Sequence, residues 1–278
     1  MPEPTNNAAN KEILIGEVIS KLQHFSQLYG VQSLFIVGGY CRALYFDEIW
    51  DVNDIDVASA YHEQAIQLAG LFASEVLNTS PEVYHRSGAA AINYQSEFGT
   101  IRIEFQGYSI NGYMFNEEVR NWLHDNKIPD LPLMNNIYGR DFTINAMIFS
   151  LSDGMLLDPS GLAAKDLDAG VIRSLLPAEM LVKYNPLAVL RAIRFAIAYD
   201  FHIDSEMRSA MKNSQDKLRS ALSQERIMHE IVRILKIDSA AGLKMLQEFE
   251  LQTFLMTAEV KEYLSLEPQN AEIQSVAT

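Results

Sequence analysis

Asp54 and Asp56 stand two residues apart in "DVNDIDVASA", and upstream of them the apolar run "SLFIV" ends in Gly38-Gly39. On a strand, residues two apart project from the same face, so these two carboxylates would lie side by side. Carboxylates held that close repel each other unless a cation lies between them. Magnesium takes oxygen ligands and keeps positions for water and substrate phosphates. A pair of such ions about 3.5–4 Å apart can clamp the attacking and leaving oxygens of a phosphoryl transfer. A Gly-Gly turn lets backbone N–H groups approach a phosphate, and a helix N-terminus just after it favours negative charge. Either feature alone is common, since D-x-D arises by chance and Asp often ends strands as a turn or cap residue. Their order, strand then Gly-Gly then helix then D-x-D on the next strand, is what points to this chemistry.

The elements that must position these residues can be read from periodicity. From Lys11 to Tyr29 apolar residues recur at helical spacing, and "SLFIV" (33–37) reads as a buried strand. A short helix is expected over 40–48, a second strand at "DIDVASA", and an amphipathic helix over 62–77. "AAAINYQ" and "TIRIEFQGY", joined by "SEFGT", read as a hairpin. Strands and helices without a regular βαβ repeat predict an α+β head with a mixed sheet flanked by helices. "DGMLLDPSG" is the last clear strand and turn, and beyond Pro186 the pattern is helical over 186–200, 204–213, 224–236 and 239–249. The expected organisation is a polar, disordered 1–10, a head over 11–150, an all-α neck over 151–264, and a disordered tail over 265–278.

With 22 Lys and Arg against 36 Asp and Glu, the chain carries a net charge of −14. That is the wrong sign for wrapping nucleic acid broadly, so any such contact must be confined to a small basic patch. The longest apolar runs are too short or too charged to span a bilayer, so no membrane partner is expected. The start lacks the basic and apolar blocks of a secretory signal, and a single cysteine gives no disulfide framework. These features predict a soluble, cytoplasmic protein.

Four segments in order carry a resemblance. "VGGYCRALYFDEIWDVNDIDVASA" resembles the nucleotidyltransferase signature of the polymerase-β superfamily, and within it the G-G-x-V-R-D and D-x-D of the class II tRNA CCA-adding enzyme and bacterial poly(A) polymerase family. "GRDFTINAMIFS" resembles that family's R-R-D-F-T-I-N-A-M block, "LLDPSGLAAKDLDAGVIRS" its D-P-x-G-x-x-D-L-x-x-x-x-I-R block, and "NPLAVLRAIRFAIAYDFHID" its neck helix. The resemblance implies a polymerase-β-like head followed by an all-α neck. It implies Asp54 and Asp56 as metal-binding catalytic residues, with Glu104 as a possible third carboxylate. It further implies Gly38, Gly39, Arg42 and Arg140 against a nucleoside triphosphate, with Asp141 and Asn145 shaping that site. Arg191 and Arg194, three residues apart on a helix, would face the nucleotide together. The implied reaction is magnesium-dependent attack by a hydroxyl, usually an RNA 3′ end or tRNA, on the α-phosphorus of ATP or CTP.

The chain departs from the pattern in three of the four segments. Ala43 replaces the aspartate of the first block, and Gly139 replaces the first arginine of the second. The neck's E-D-x-x-R is Tyr184-Asn185-Pro186-Leu187-Ala188, where the family's Asp and Arg would bond the base edge. Asn185 still offers an amide donor and acceptor, whereas Ala188 offers nothing. A site that loses such a partner loses discrimination. The altered base-reading positions, acidic surface and short helical body favour a second reading, the same chemistry on a small metabolite or protein. A third reading is a non-catalytic nucleotide- or RNA-binding protein, against which the retained Asp54 and Asp56 speak.

Overall fold

The computed structural model describes residues 6–31, 33–49, 52–59, 62–84, 89–107, 114, 116–212 and 214–256. The expected tail over 265–278 lies outside them. Two compact units share the chain: residues 1–140 with 144–164, and residues 141–143 with 165–278.

The first unit opens with α1 (Asn6–Leu28), β1 (Leu34–Val37), α2 (Gly39–Tyr45), β2 (Asp54–Ser59) and α3 (His62–Leu71). It continues through β3 (Glu82–Tyr84), β4 (Ala89–Ser96), β5 (Gly99–Gly107), α4 (Glu117–Asp125), α5 (Pro132–Tyr138), β6 (Ile148–Ser150) and β7 (Met155–Leu157). Helix α1 already begins at Asn6, so the disorder expected over 1–10 does not hold from that residue onward. One seven-stranded sheet results, ordered β3-β4-β5-β2-β1-β6-β7. Among the described residues of this sheet, only β2 and β5 pair in parallel. The sheet is mixed, as expected, although β3 is too short and polar to have been read from sequence.

Alternation explains why this sheet has two different faces. Along β5 the side chains of Ile101, Ile103 and Phe105 are buried, while Arg102 and Glu104 between them are half-buried. The apolar face is covered by α1 and α3. Leu14, Ile15, Val18, Leu22 and Phe25 recur along α1 and are all buried. Phe25 meets Phe72 edge-on at 5.4 Å, and Phe72 lies 5.7 Å from Phe105. The other face is left for the polar residues of β2 and β5.

The second unit contains α6 (Ala163–Ala169), β8 (Val171–Ile172), α7 (Ala178–Tyr184), α8 (Ala188–Tyr199), β9 (His202–Ile203), α9 (Ser205–Met211), α10 (Gln215–Ala221), α11 (Gln224–Ile237) and α12 (Ser239–Glu248). The first two residues of α6 belong to the first unit. Helix α8 is buried almost all round from Ala188 to Ala196, and forms the centre of this unit. Among the described residues the neck is helical apart from the parallel β8–β9 pair and a bridge from Phe142 to Ser174, which two-residue runs do not reveal in sequence.

Much of the third motif block serves structure. Asp158 accepts hydrogen bonds from the Ser160 hydroxyl at 2.7 Å and from the N–H groups of Gly161 and Ala164 at 3.0 and 3.1 Å, fixing the turn into α6. Asp166, buried in the second unit, accepts from the Thr143 hydroxyl at 2.6 Å and from Arg173 Nε at 3.1 Å. Arg173 also reaches Asp204 at 3.0 Å.

Candidate active site

The central pair of parallel strands sets the site. Register places Asp54 opposite Arg102 and Asp56 opposite Glu104, so all four side chains share the polar face. Asp54 is exposed and Asp56 half-buried, with the fully buried Ile55 between them pointing into the core. Burial pushes the Asp56 carboxyl up to about 7, and the Asp54 and Glu104 carboxylates push the same way. The guanidinium groups of Arg140 and Arg42 pull it back down.

Gly38 fits beside this pair for two reasons. Its φ of 75° is the left-handed conformation that glycine adopts without penalty. A Cβ there would also come within 3.0 Å of Asp56 Oδ2. The turn thus leaves open the space in front of that oxygen. Helix α2, which starts at Gly39, has only seven residues. Attraction for a phosphate would therefore come from the N–H groups of the turn and from Arg42 more than from a helix dipole. Asn145 aligns Arg42, accepting a hydrogen bond from its Nη1. Arg140 donates from Nε and Nη2 to Asn136 Oδ1 at 3.3 and 3.1 Å. Cys41, facing inward, donates its thiol to the Ile36 carbonyl at 3.2 Å. Burial pushes that thiol up to about 12, which makes it inert.

The residues present fit a divalent cation held by Asp54 and Asp56. The donors are all oxygen, and the raised proton affinity of Asp56 is what a bound cation would relieve. Among the described residues no group of three or more potential ligands is gathered for a metal. Glu104, expected as a third, turns its Oε2 to Arg102 Nη2 at 3.4 Å.

Of the positions expected from sequence, the first unit thus brings together Gly38, Gly39, Arg42, Asp54, Asp56, Glu104, Arg140 and Asn145. The remaining four belong to the second unit. Asp141 is buried, accepts the Phe142 N–H at 2.9 Å, and pairs with Arg191 Nε. Arg191 is about one-third exposed, at 32%. Arg194 lies in the interior instead. Its Nε donates to Glu230 at 2.8 Å, and its guanidinium sits 4.4 Å from the Phe195 ring centre. Asn185 ends α7, and its carbonyl accepts the Ala188 N–H at 3.0 Å. Ala188 is wholly buried, so the space an arginine would need there is already filled.

Three partners were missed by sequence reasoning. Asn136 stands four residues before Arg140, a helical spacing that signals contact. Glu230 stands 36 residues from Arg194 and gave no local signal. Arg102 precedes Glu104 by two residues on a strand, and that alternation places it on the site's face.

The model of the poly A polymerase head domain matches residues 34–173, and that of the "probable RNA and SrmB- binding site of polymerase A" matches 200–262. A tRNA nucleotidyltransferase of Schizosaccharomyces pombe is 39% identical over 99 residues, covering 35% of this chain and 20% of that protein. The CC-adding tRNA nucleotidyltransferase of Halalkalibacterium halodurans is 32% identical over 181 residues, or 65% of this chain and 44% of that one. The chain therefore spans less than half the length of these curated relatives. The solved Thermotoga maritima CCA-adding enzyme complexed with tRNA superposes with a TM-score of 0.66 at 24% identity, over 87% of this chain and 52% of that one. The likeness is one of fold: a mixed sheet flanked by helices, and a helical neck. With half its length matched by the head-domain model and the Gly-Gly turn and aspartate pair in place on adjoining elements, this chain belongs to the poly A polymerase head-domain family.

Proposed function

We propose that this protein is a magnesium-dependent nucleotidyltransferase that moves a nucleoside monophosphate from ATP or CTP to a hydroxyl, the 3′ end of an RNA such as tRNA. The observation that carries this reading is the Asp54–Asp56 pair beside the open Gly38 turn, with Arg42 and Arg140 close enough to bias the ionisation of Asp56. Membership of the family and the names of the relatives support it. A divalent cation on the two aspartates would supply charge stabilisation of the phosphoryl oxygens and ease deprotonation of the attacking hydroxyl.

The chain's own residues account for the rest. Asp54 and Asp56 in their ionised forms hold the reacting phosphate's counter-charge in place. The turn at Gly38-Gly39 admits the triphosphate without a side chain in its way. Arg42, braced by Asn145, and Arg140, braced by Asn136, neutralise its negative oxygens. In this proposal the head over 11–150 carries the chemistry, and the neck over 151–264 follows it as a separate helical unit. Cytoplasmic location is part of the proposal. Among the described residues no helix is long and apolar enough to cross a membrane.

A second reading, transfer to a small metabolite or a protein, is favoured by Ala188. Its burial leaves no base-reading side chain at that position. One assay separates the two. The protein is incubated with each α-labelled nucleoside triphosphate, magnesium and small RNA, beside an Asp54→Ala/Asp56→Ala control. Label in RNA that disappears in the control supports the main reading. Label in protein or small products instead moves the assignment to the second. Nucleotide binding with no transfer to anything defeats both.

A further inference from the structure

The polar face of the sheet does not stop at the aspartates. Beyond β2 and β5 it runs across β4 to β3, and the residues it carries have no role in the chemistry above. Register places Arg102 opposite Asp54 on one side and opposite Asn93 on the other. Glu104 stands opposite Ala91, and Tyr84 opposite Ala89. The two alanines are buried and make a low floor, over which longer side chains can lean. Arg102 does so: its Nη2 donates to the Tyr84 hydroxyl at 3.0 Å, and its guanidinium lies 5.6 Å from the Tyr84 ring centre. Tyr84 and Arg102 are half-buried, and Asn93 is exposed.

This set has a definite chemistry. An aromatic ring offers a face on which a base can stack, and this is tolerant of base identity. A guanidinium fork held beside it suits a phosphodiester. An exposed amide can bond a sugar or base edge. Along β5 the position of Arg102 is directly across from Asp54, so a nucleotide lying on the face would end next to the carboxylate pair. On a chain of net charge −14 such a cation has a specific use, since the surface as a whole repels phosphate. Glu104 and Tyr84 fix the guanidinium in place, which lowers the entropy lost when it binds.

We propose that the Tyr84–Asn93–Arg102 face binds the terminal nucleotides of a single-stranded RNA acceptor and delivers its 3′-hydroxyl to the Asp54–Asp56 pair, which rests on RNA being the acceptor. Tyr84 stacks on a base and Arg102 holds the phosphodiester that precedes it. Base identity is not read here, because neither contact distinguishes one base from another.

The test uses the full chain and a 5′-fluorescein oligoribonucleotide with a free 3′-hydroxyl. Binding is followed by anisotropy in EDTA, so that it does not depend on catalysis. Arg102→Ala is expected to weaken binding about tenfold and to reduce the slope of log K against log salt by about 0.7, the single-strand value for one phosphate contact. Tyr84→Leu is expected to weaken binding about tenfold as well, and Tyr84→Phe, which keeps the ring, by less. Melting curves establish that each variant is folded. In the labelled-nucleotide assay both Arg102→Ala and Tyr84→Leu raise KM for the RNA and leave KM for the nucleoside triphosphate unchanged. Unchanged RNA binding and unchanged acceptor KM in both variants overturn the platform, even where the wild type labels RNA well. Wild-type transfer to a protein or small alcohol, with no RNA binding, also overturns it. RNA binding that depends on Arg102 and Tyr84, without transfer to any acceptor, upholds the platform and defeats the nucleotidyltransferase reading.

Discussion

At Asp56 a single side chain links stability to function. Its carboxyl is raised from 3.8 to about 7, chiefly by burial and next by the Asp54 carboxylate. A raised pKa means that the folded state holds the proton more tightly than the unfolded chain does. The stabilisation this gives is fully present below about pH 4 and is lost as pH rises to about 7, above which Asp56 carries a poorly solvated charge. Asp56→Asn removes that charge. Without metal the variant should melt higher than the wild type at pH 8, and the gap should close as pH falls toward 4. Magnesium at pH 8 should raise the wild-type melting temperature and leave the variant's unchanged. Transfer should fall about a hundredfold to a thousandfold. Equal melting of both proteins at pH 8 in EDTA would show that Asp56 is not strained by its surroundings. The pair itself was legible in the sequence because a two-residue spacing on a strand has one geometric meaning. The tuning was not. It depends on burial, on Arg140 and Arg42, and on Glu104 of β5, which only strand register brings alongside.

Among elements, α8 shows how a motif can be read correctly in place while its side chains divide. The spacing of Arg191 and Arg194 predicts a shared direction, yet Arg191 is partly exposed against Asp141 and Arg194 is interior against Glu230 of α11. The reason is that α8 is wrapped by its neighbours, and three residues of rotation suffice to carry a side chain from rim to interior. Glu230 sits at 4% exposure and also accepts from Arg233 at 3.2 Å. Breaking such a pair from one side leaves a buried charge alone. Glu230→Ala should cost about 3–5 kcal/mol in denaturant unfolding, whereas Arg194→Met with Glu230→Leu should cost less than Glu230→Ala. A double variant as unstable as the sum of the singles would remove the coupling claimed here. A second element-scale test lies at the crossing of α11 and α12. A Cβ on Gly242 would meet Ile234 Cγ2 at 2.8 Å, a methyl fixed to a branched carbon. Gly242→Ala gains about 1 kcal/mol of helix propensity. Overpacking of about 1–3 kcal/mol opposes it. The expected net result is a protein that is no more stable, and a clear rise in the unfolding midpoint would refute the tight crossing. Elements with strong periodicity, such as α1, β1, β5 and α11, were readable because burial of one face wrote itself into the residue order. The two-residue strands β8 and β9 and the turn-built α6 were not, because their hydrogen bonds come from distant partners.

At the scale of the whole molecule, the excess of 36 acidic over 22 basic side chains sets how RNA can be engaged. A protein that grips a nucleic acid over many phosphates releases many counterions, and its affinity falls steeply with salt. Here the general field repels phosphate, and attraction is confined to individual guanidinium groups such as Arg42, Arg140 and Arg102. Binding of a short single-stranded acceptor should therefore show a log K against log salt slope of about −1.4 to −2.1, corresponding to two or three phosphate contacts at about 0.7 each. Duplex RNA without an accessible 3′ end should compete poorly, because it presents phosphates and no terminal nucleotide. Anisotropy titrations between 50 and 200 mM salt, with single-stranded and blunt-ended hairpin competitors, measure both quantities. A slope of about −5 or steeper, or equal competition by the hairpin, would require an extended basic groove that outweighs the acidic surface. A shallow slope with 3′-end preference would mean that selection of the acceptor happens at the sheet face beside the aspartates, where the local chemistry is favourable, and not through broad attraction to RNA.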